Sequence, residues 1–524
     1  MTGSRRPLRS AIFLLAGLLG YSSAHATNWL QFGFDQQHSG YNSEEKGFST
    51  AGNVKLFEVS IPASEAQPAL LTDVVTRTRP KDLLFVVLFD GTLAAFNAAN
   101  GAVVWSRKTT GNGQGVESGA AIDPNLQFVY ATGQDGKVHK YAVADGTETI
   151  DAHWPEISSL KPVWDNPSAA LSIATDSTNT PYLYSATSGY RDVGDTQGHV
   201  TAINLQTGTQ NVFNTQCSDL MMHFVDAGTP RVNDCNLHGT EEGDGQMSGI
   251  WGRPGVVYDA QTDRIYFTTG NALFDANTAN GHEWGDSVLA LHADGTGSGM
   301  GWPVDSYTPL QYASLYYNDV DLGSASPTIL PSSSAKYPHV ALQASKDSCL
   351  RLINLDDMSG AGGPGNVGGE VAPLSPSCGS ISYQSTYVQP AVWVDPQDGA
   401  TWVFVPTFGN LIAYRLFVNS AGDLLLAQQW TLTEPSQNSP VVANGTVYYQ
   451  GASRDQQGHT IACLKAVDAR TGVLVWQSES IQGVHRQSPI VANGRIYLVD
   501  GHHYSATHSL VVYALDGIFR DSFQ

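Results

Sequence analysis

Apolar and polar residues alternate along this chain in short runs, and a turn follows each run. No long stretch sustains apolar spacing at a period of 3.6, so the pattern predicts strands and few helices. One unit recurs: a glycine or polar turn, alternating apolar residues, an Asp or Asn, then a turn closing on glycine. Copies run from Gly91 to Gly101, Gly136 to Gly146, Gly198 to Gly208, Ser287 to Gly295 and Cys349 to Gly360. Three more run from Asn410 to Arg415, Leu464 to Gly472 and Leu510 to Gly517. Alternation presents one face of each strand to a neighbour, and the Asp/Asn–Gly turn supplies the positive φ of a tight reversal. A second unit precedes several copies: Ser439 to Gly445 and Ser488 to Gly494 are near-identical, and Ser326 to Leu330 looks like a third.

Eight copies predict an all-β chain: an eight-bladed β-propeller of four-stranded antiparallel blades, closed in a ring. Trp105 and Trp476 follow two of the turns and are expected to pack between blades. Residues 209 to 250 and 296 to 325 are insertions, and long loops on a rigid scaffold are where function concentrates. The segment from Asn28 to Asp35 is expected to supply a strand completing the last blade.

Composition agrees with this reading. Glycine is abundant (53) and charged residues make up only 14 %, as suits short strands and tight turns. Arg5, Arg6 and Arg9, an apolar run from Ala11 to Gly20, and Ala24-His25-Ala26 together read as a secretion signal. Cleavage is expected after Ala26, leaving residues 27–524 as a single propeller domain. The apolar run is too short to span a bilayer, and no lipid-bearing cysteine follows it. A periplasmic or secreted protein without a membrane anchor is expected. The formal charge of −21 disfavours nucleic acid as a partner. Cys217–Cys235 and Cys349–Cys378 are candidate disulfides, with Cys463 left over in a strand, although spacing alone does not settle connectivity. No Cys-x-x-Cys-His is present, so no c-type haem is expected.

Trp29-Leu-Gln-Phe-Gly-Phe-Asp35 and the Ala-x-Asp-x-x-Thr-Gly-x-x-x-Trp run from Ala466 to Trp476 resemble the repeats of pyrroloquinoline quinone (PQQ) propellers. That family contains periplasmic quinoprotein alcohol dehydrogenases and also non-catalytic scaffolds. In the dehydrogenases PQQ and a calcium ion share the axis, held by a Glu, an Asn, an Asp that also acts as base, an Arg or Lys, and a stacking Trp.

The resemblance places site residues here. The run from Tyr258 to Asn271 is similar to the stretch ending in the metal-binding Asn, so Asn271 is a metal-ligand candidate or the corner of a turn. Tyr307-Thr-Pro resembles the stretch carrying the catalytic Asp, and Asp319 or Asp321 fills that role after an insertion, with Asp319 also a metal candidate. Lys346 resembles the basic residue facing the quinone, or else it pairs with Asp319 or Asp321 across an empty axis. Two positions depart from the family. Where the Glu belongs, Tyr190, Arg191 and Asp192 stand, of which only Asp192 offers a carboxylate. The stacking Trp falls at Arg253, with Trp251 two residues earlier on the same strand face. Arg191, Trp251 and Arg253 are therefore the cofactor-facing candidates beside Lys346. Glu241, Glu242 and Asp244 offer replacement ligands or form a solvated loop. Two functions follow. One is oxidation of an alcohol or sugar-type substrate with PQQ and Ca2+, the electrons leaving to a separate acceptor. The other is a non-catalytic periplasmic binding or scaffold propeller without cofactor.

Overall fold

The computed structural model describes residues 26–45, 54–190, 194–224, 248–372, 378–436, 438–455, 457–483, 486–502 and 505–514. Arg191, Asp192, Cys235, Glu241, Glu242 and Asp244 lie outside them. Eight small antiparallel sheets follow one another around an axis. Blade 1 comprises Ala69–Val75, Pro80–Val87, Thr92–Asn97 and Val103–Lys108. Blade 2 comprises Ala121–Ile122, Phe128–Thr132, Lys137–Ala142 and Glu156–Ile157. Blade 3 comprises Ser172–Thr175, Pro181–Ala186, His199–Asn204 and Gln210–Asn214. Blade 4 comprises Val257–Asp259, Arg264–Thr268, Val288–His292 and Asp305–Tyr307. Blade 5 comprises Thr328–Pro331, His339–Ala344 and Leu350–Asn354. Blade 6 comprises Ala391–Val394, Thr401–Pro406, Leu411–Val418 and Leu424–Leu432. Blade 7 comprises Val441–Ala443, Thr446–Arg454, Thr460–Asp468 and Leu474–Ile481. Blade 8 joins Ile490–Ala492, Arg495–Asp500 and Thr507–Ala514 to Val54–Pro62.

The recurring unit of the sequence is the third strand of each blade. The second unit is the first strand and its turn: in the Asn444-Gly445 and Asn493-Gly494 reversals all four residues have positive φ, the backbone of a two-residue hairpin. Blade 5 differs from the expected four strands. Its fourth place is taken by irregular chain, where the Val371 N–H donates to the Leu352 carbonyl at 2.9 Å. Apolar faces bury against the next blade, not into one central core: one cluster joins blades 1 and 2, another blades 3 and 4. Trp105 does pack between blades, its indole N–H on the Val143 carbonyl at 3.0 Å, and Trp476 meets Tyr513 with ring centroids 5.3 Å apart.

The segment after Ala26 does not complete the last blade; Val54–Pro62 does, paired antiparallel with Thr507–Ala514. Residues 27–42 instead form a strap around the axis. Leu70, Ile122, Tyr258, Val392 and Val442 each donate their N–H to a strap carbonyl, at 2.8–2.9 Å. Ile173 donates to the Gln31 side chain at 2.6 Å, and the Val491 carbonyl accepts from Asn42 at 2.8 Å. In all seven blades the partner is the second residue of the first strand. Alternation in Leu-Gln-Phe-Gly-Phe resembles a strand, but the segment is a chain of turns whose backbone and side-chain groups are met by seven different blades.

Cys349 and Cys378 form a disulfide, and Cys463 is free and buried in a strand. Cys217 is disulfide-bonded as well. Its backbone N–H donates to both carboxylate oxygens of Glu283 at 3.3 Å. Burial, and then the charge of Asp275, push the Glu283 carboxyl up to about 7. A folded-state value above the ordinary 4.5 means the fold is favoured by the protonated form. That contribution is complete below the ordinary value and is lost as pH rises to neutrality. Glu283→Gln is therefore expected to melt with the wild type at about pH 4 and above it at about pH 8, measured by thermal denaturation across pH.

Among the described residues no helix is long and apolar enough to cross a membrane. The one α-helix among the described residues, α1 (Tyr312–Tyr317), lies in the 296–325 insertion.

Candidate functional site at the axial mouth

Antiparallel strands put the start of each first strand, the end of each second and the start of each third on one face of the ring. First strands of neighbouring blades approach one another around the axis, so residues just before them meet at an axial mouth. The strap fills the axis beneath it. Asn271 follows the second strand of blade 4, Lys346 follows the second strand of blade 5, and Asp319 and Asp321 precede the first strand of blade 5.

These four side chains meet. The Lys346 ammonium lies 2.8 Å from Asp319 Oδ1 and 2.9 Å from Asp321 Oδ2. The Asn271 backbone N–H donates to Asp321 Oδ1 at 2.8 Å, and its side-chain amide donates to Asp319 Oδ1 at 3.1 Å. Asn271 Oδ1 is buried and accepts no hydrogen bond. Asp321 is mostly covered, whereas 70 % of the Asp319 side chain is exposed. Burial works against the Lys346 charge, but Asp321 and Asp319 outweigh it and lift its pKa above the ordinary lysine value. Two glycines make the approach possible. A Cβ on Gly270 would stand 3.0 Å from Asp321 Oδ1 and 3.1 Å from the Trp251 indole nitrogen, and one on Gly323 would stand 2.7 Å from the Gly270 nitrogen.

Asp286, which sequence reasoning missed, ties these turns together. It is fully buried; its Oδ1 accepts the Leu322 N–H at 2.9 Å and its own N–H donates to the Gly270 carbonyl at 3.0 Å. Burial, reinforced by the charge of Asp321, pushes its carboxyl well above the ordinary range. Its sequence signal is its place just before the repeat copy at Ser287.

Across the axis a second group of charges meets. The Arg253 Nη1 lies 2.9 Å from Glu117 Oε2 and donates to the Ser168 carbonyl at 2.9 Å; its Nη2 lies 3.8 Å from Glu65 Oε2. Blades 4, 1 and 2 are thereby braced by buried charge. The Arg486 guanidinium, from the approach to blade 8, sits 5.1 Å from the centroid of the Trp251 ring. Burial, and then the nearby Arg253 charge, push its pKa down to about 10. Tyr190 is no ligand: its hydroxyl donates to the Gly115 carbonyl at 2.5 Å and accepts the Gly115 N–H. Glu65, Glu117, Tyr387 and Arg486 were not singled out from sequence, yet each stands just before a first strand.

Residues 63–219 match the family model described as outer membrane protein assembly factor BamB. No curated protein matches the chain. Its repeats are of the PQQ type. Among solved structures, this PQQ-type propeller is similar to a quinohemoprotein alcohol dehydrogenase from Comamonas testosteroni at 14 % identity and TM-score 0.61, over 93 % of this chain and 80 % of that one. It is similar at the same identity and coverage to the quinohemoprotein alcohol dehydrogenase ADHIIG from Pseudomonas putida HK5, TM-score 0.60. A europium-containing methanol dehydrogenase matches at 15 % identity and TM-score 0.59, over 93 % of this chain and 98 % of its own. Identity this low speaks for the fold alone.

PQQ and a metal, implied by such neighbours, meet a mixed fit in this PQQ-type propeller. Asn271 Oδ1 and the two carboxylates suit a hard cation. The cation the two carboxylates hold is the Lys346 ammonium, and among the described residues no cluster of three His, Cys, Asp or Glu is placed for a metal. The face of Trp251 on which a quinone would stack is covered by Arg486, and the Arg253–Glu117–Glu65 group spans the adjoining space. The quinone does not fit alongside these side chains.

Proposed function

We propose that this chain is an exported, PQQ-type binding propeller whose axial mouth receives a neutral ligand and holds no quinone. The observation that carries this reading is the Arg486 guanidinium on the face of Trp251, 5.1 Å from its centroid. Desolvated cation–π contacts of this kind contribute about 2 kcal/mol, and the buried Arg253 pair beside it resists removal of either partner. The charges at the mouth nearly balance, three cations against four carboxylates: Arg253 and Arg486 face Glu65 and Glu117, and Lys346 faces Asp319 and Asp321. A ligand of strong charge of either sign gains little there, whereas hydroxyls find both donors and acceptors.

A second reading is favoured by a different observation, the convergence of Asn271, Asp321 and Lys346 with a free buried acceptor on Asn271. Under it the protein would oxidise a small alcohol or sugar with PQQ and calcium and pass electrons to a separate acceptor. One titration decides between them. Purified protein with calcium and then with a lanthanide is expected to leave the absorbance of micromolar PQQ unchanged and to reduce no dye with alcohols. Stoichiometric quinone binding with dye-linked oxidation would overturn the binding-propeller reading.

A further inference from the structure

Two groups of aromatic rings, Tyr317, Tyr383 and Phe408 among them exposed, lie near the Asp319–Lys346–Asp321 cluster. In the first group Tyr387 is half-buried, with the charges of Lys346, Asp321 and Asp319 acting on its hydroxyl. Phe408 follows with its ring centroid 6.5 Å away, and Tyr383 lies 6.3 Å beyond that. Phe408 is 51 % and Tyr383 73 % exposed. In the second, Tyr316 and Tyr317 stand 5.2 Å apart at the end of α1, and Tyr317 is 82 % exposed. Asp319 follows them by two residues.

The first group is displayed on a braced scaffold. Thr407 Oγ1 and the Gly409 N–H both donate to the Tyr383 carbonyl, at 2.8 and 3.0 Å. Phe408 N–H donates to the Ser385 carbonyl at 2.8 Å, and Ser385 Oγ donates to the Lys346 carbonyl at 2.6 Å. The Cys349–Cys378 disulfide ties the start of this loop to blade 5. The rings are thus held out to solvent in a row that begins at the charged cluster. Exposed apolar surface on a rigid loop is a mark of a binding site, and holding it in place lowers the ordering cost of binding.

We infer that the mouth and the Tyr387–Phe408–Tyr383 row together form an extended subsite for a neutral oligosaccharide. This rests on the binding-propeller reading and names its ligand. A sugar ring presents an apolar C–H face to an aromatic ring and a rim of hydroxyls to the groups around it. The row supplies apolar ring surfaces, inclined at 35° between Tyr383 and Phe408 and 60° between Phe408 and Tyr387; the exposed Asp319 carboxylate and the Lys346 ammonium it holds supply hydroxyl partners at its inner end. A protein partner is a poorer match, because the row ends on the charged Asp319–Lys346–Asp321 cluster, and interface cores are depleted of charged residues. A nucleic acid would meet the repulsion of a chain with formal charge −21.

The test is calorimetric titration of the purified protein with maltopentaose, cellopentaose, xylopentaose and N-acetylchitopentaose, each beside its monosaccharide. At least one pentamer is expected to bind about tenfold or more tighter than its monomer. Tyr383→Ala and Phe408→Ala are expected to erase that difference while the melting temperature stays at the wild-type value. Asp319→Asn is expected to weaken pentamer and monomer alike. The inference falls if no pentamer binds, if pentamer and monomer bind equally, if the ring variants bind like the wild type, or if the rings serve only to hold a protein. Glycan failure in a protein that also ignores PQQ overturns this inference and spares the binding-propeller reading; PQQ binding overturns that reading itself.

Discussion

Asp347→Ala is expected to lower stability by about 3–5 kcal/mol, the cost of stripping one partner from a buried ion pair. Asp347 and Arg351 are both fully buried, and the Arg351 guanidinium holds the carboxylate through both of its terminal nitrogens, one at 3.0 Å from Oδ1. Alanine would leave the Arg351 charge uncompensated inside blade 5. Asp347 Oδ1 also accepts the Cys349 N–H at 3.0 Å, and the Asp347 carbonyl accepts the Gly379 N–H at 3.0 Å. Alanine keeps that carbonyl but loses the Oδ1 acceptor, so the same change loosens the turn that presents Lys346. Chemical denaturation should show the drop in midpoint. The double variant Asp347→Ala/Arg351→Met should regain much of it, because the stranded charge is gone. A double variant no more stable than the single would mean that the turn's hydrogen bonds, not the buried charge, dominate.

Trp29→Ala is expected to cost a similar amount, about 3–5 kcal/mol for a large buried aromatic. Trp29 is wholly buried against blades 1 and 8, its backbone exchanges two 2.8 Å hydrogen bonds with Leu70, and its ring meets Phe34 at 5.1 Å. It anchors the start of the strap. Its loss should act well beyond blade 1, since the strap carbonyls accept N–H groups from five blades. Hydrogen exchange is the discriminating measurement. The amides of Leu70, Ile122, Tyr258, Val392 and Val442 should all exchange faster in the variant. Acceleration confined to Leu70 would show that the strap segments hold independently.

The same two regions show how far the chain could be read without its structure. The repeat copies were legible because a hairpin is local: period-two alternation and an Asn-Gly or Asp-Gly reversal lie within a dozen residues of one another. Asn271, Asp321 and Lys346 could be named because the runs around them resemble the site stretches of PQQ propellers. The choice between Asp319 and Asp321 could not be made from sequence, and both turn out to hold Lys346. Arg253 was read as standing in a stacking position. Its pairing with Glu117 and Glu65 depends on residues more than a hundred positions away. Arg486 over Trp251 joins blades 8 and 4, which only closure of the ring brings together.

Sequence alone thus determined the ring and its repeat count, because blades are built from short-range pairing and each carries its own turn chemistry. It also determined which strand ends carry carboxylate, amide and ammonium groups. Tertiary structure alone decided that the strap circles the axis and that blade 5 keeps three regular strands. It also decided that the mouth's charges are answered by the chain's own residues. An axis is where every blade ends, so its neighbours are far apart in sequence, and burial and charge there are set by which side chains arrive from opposite sides of the ring.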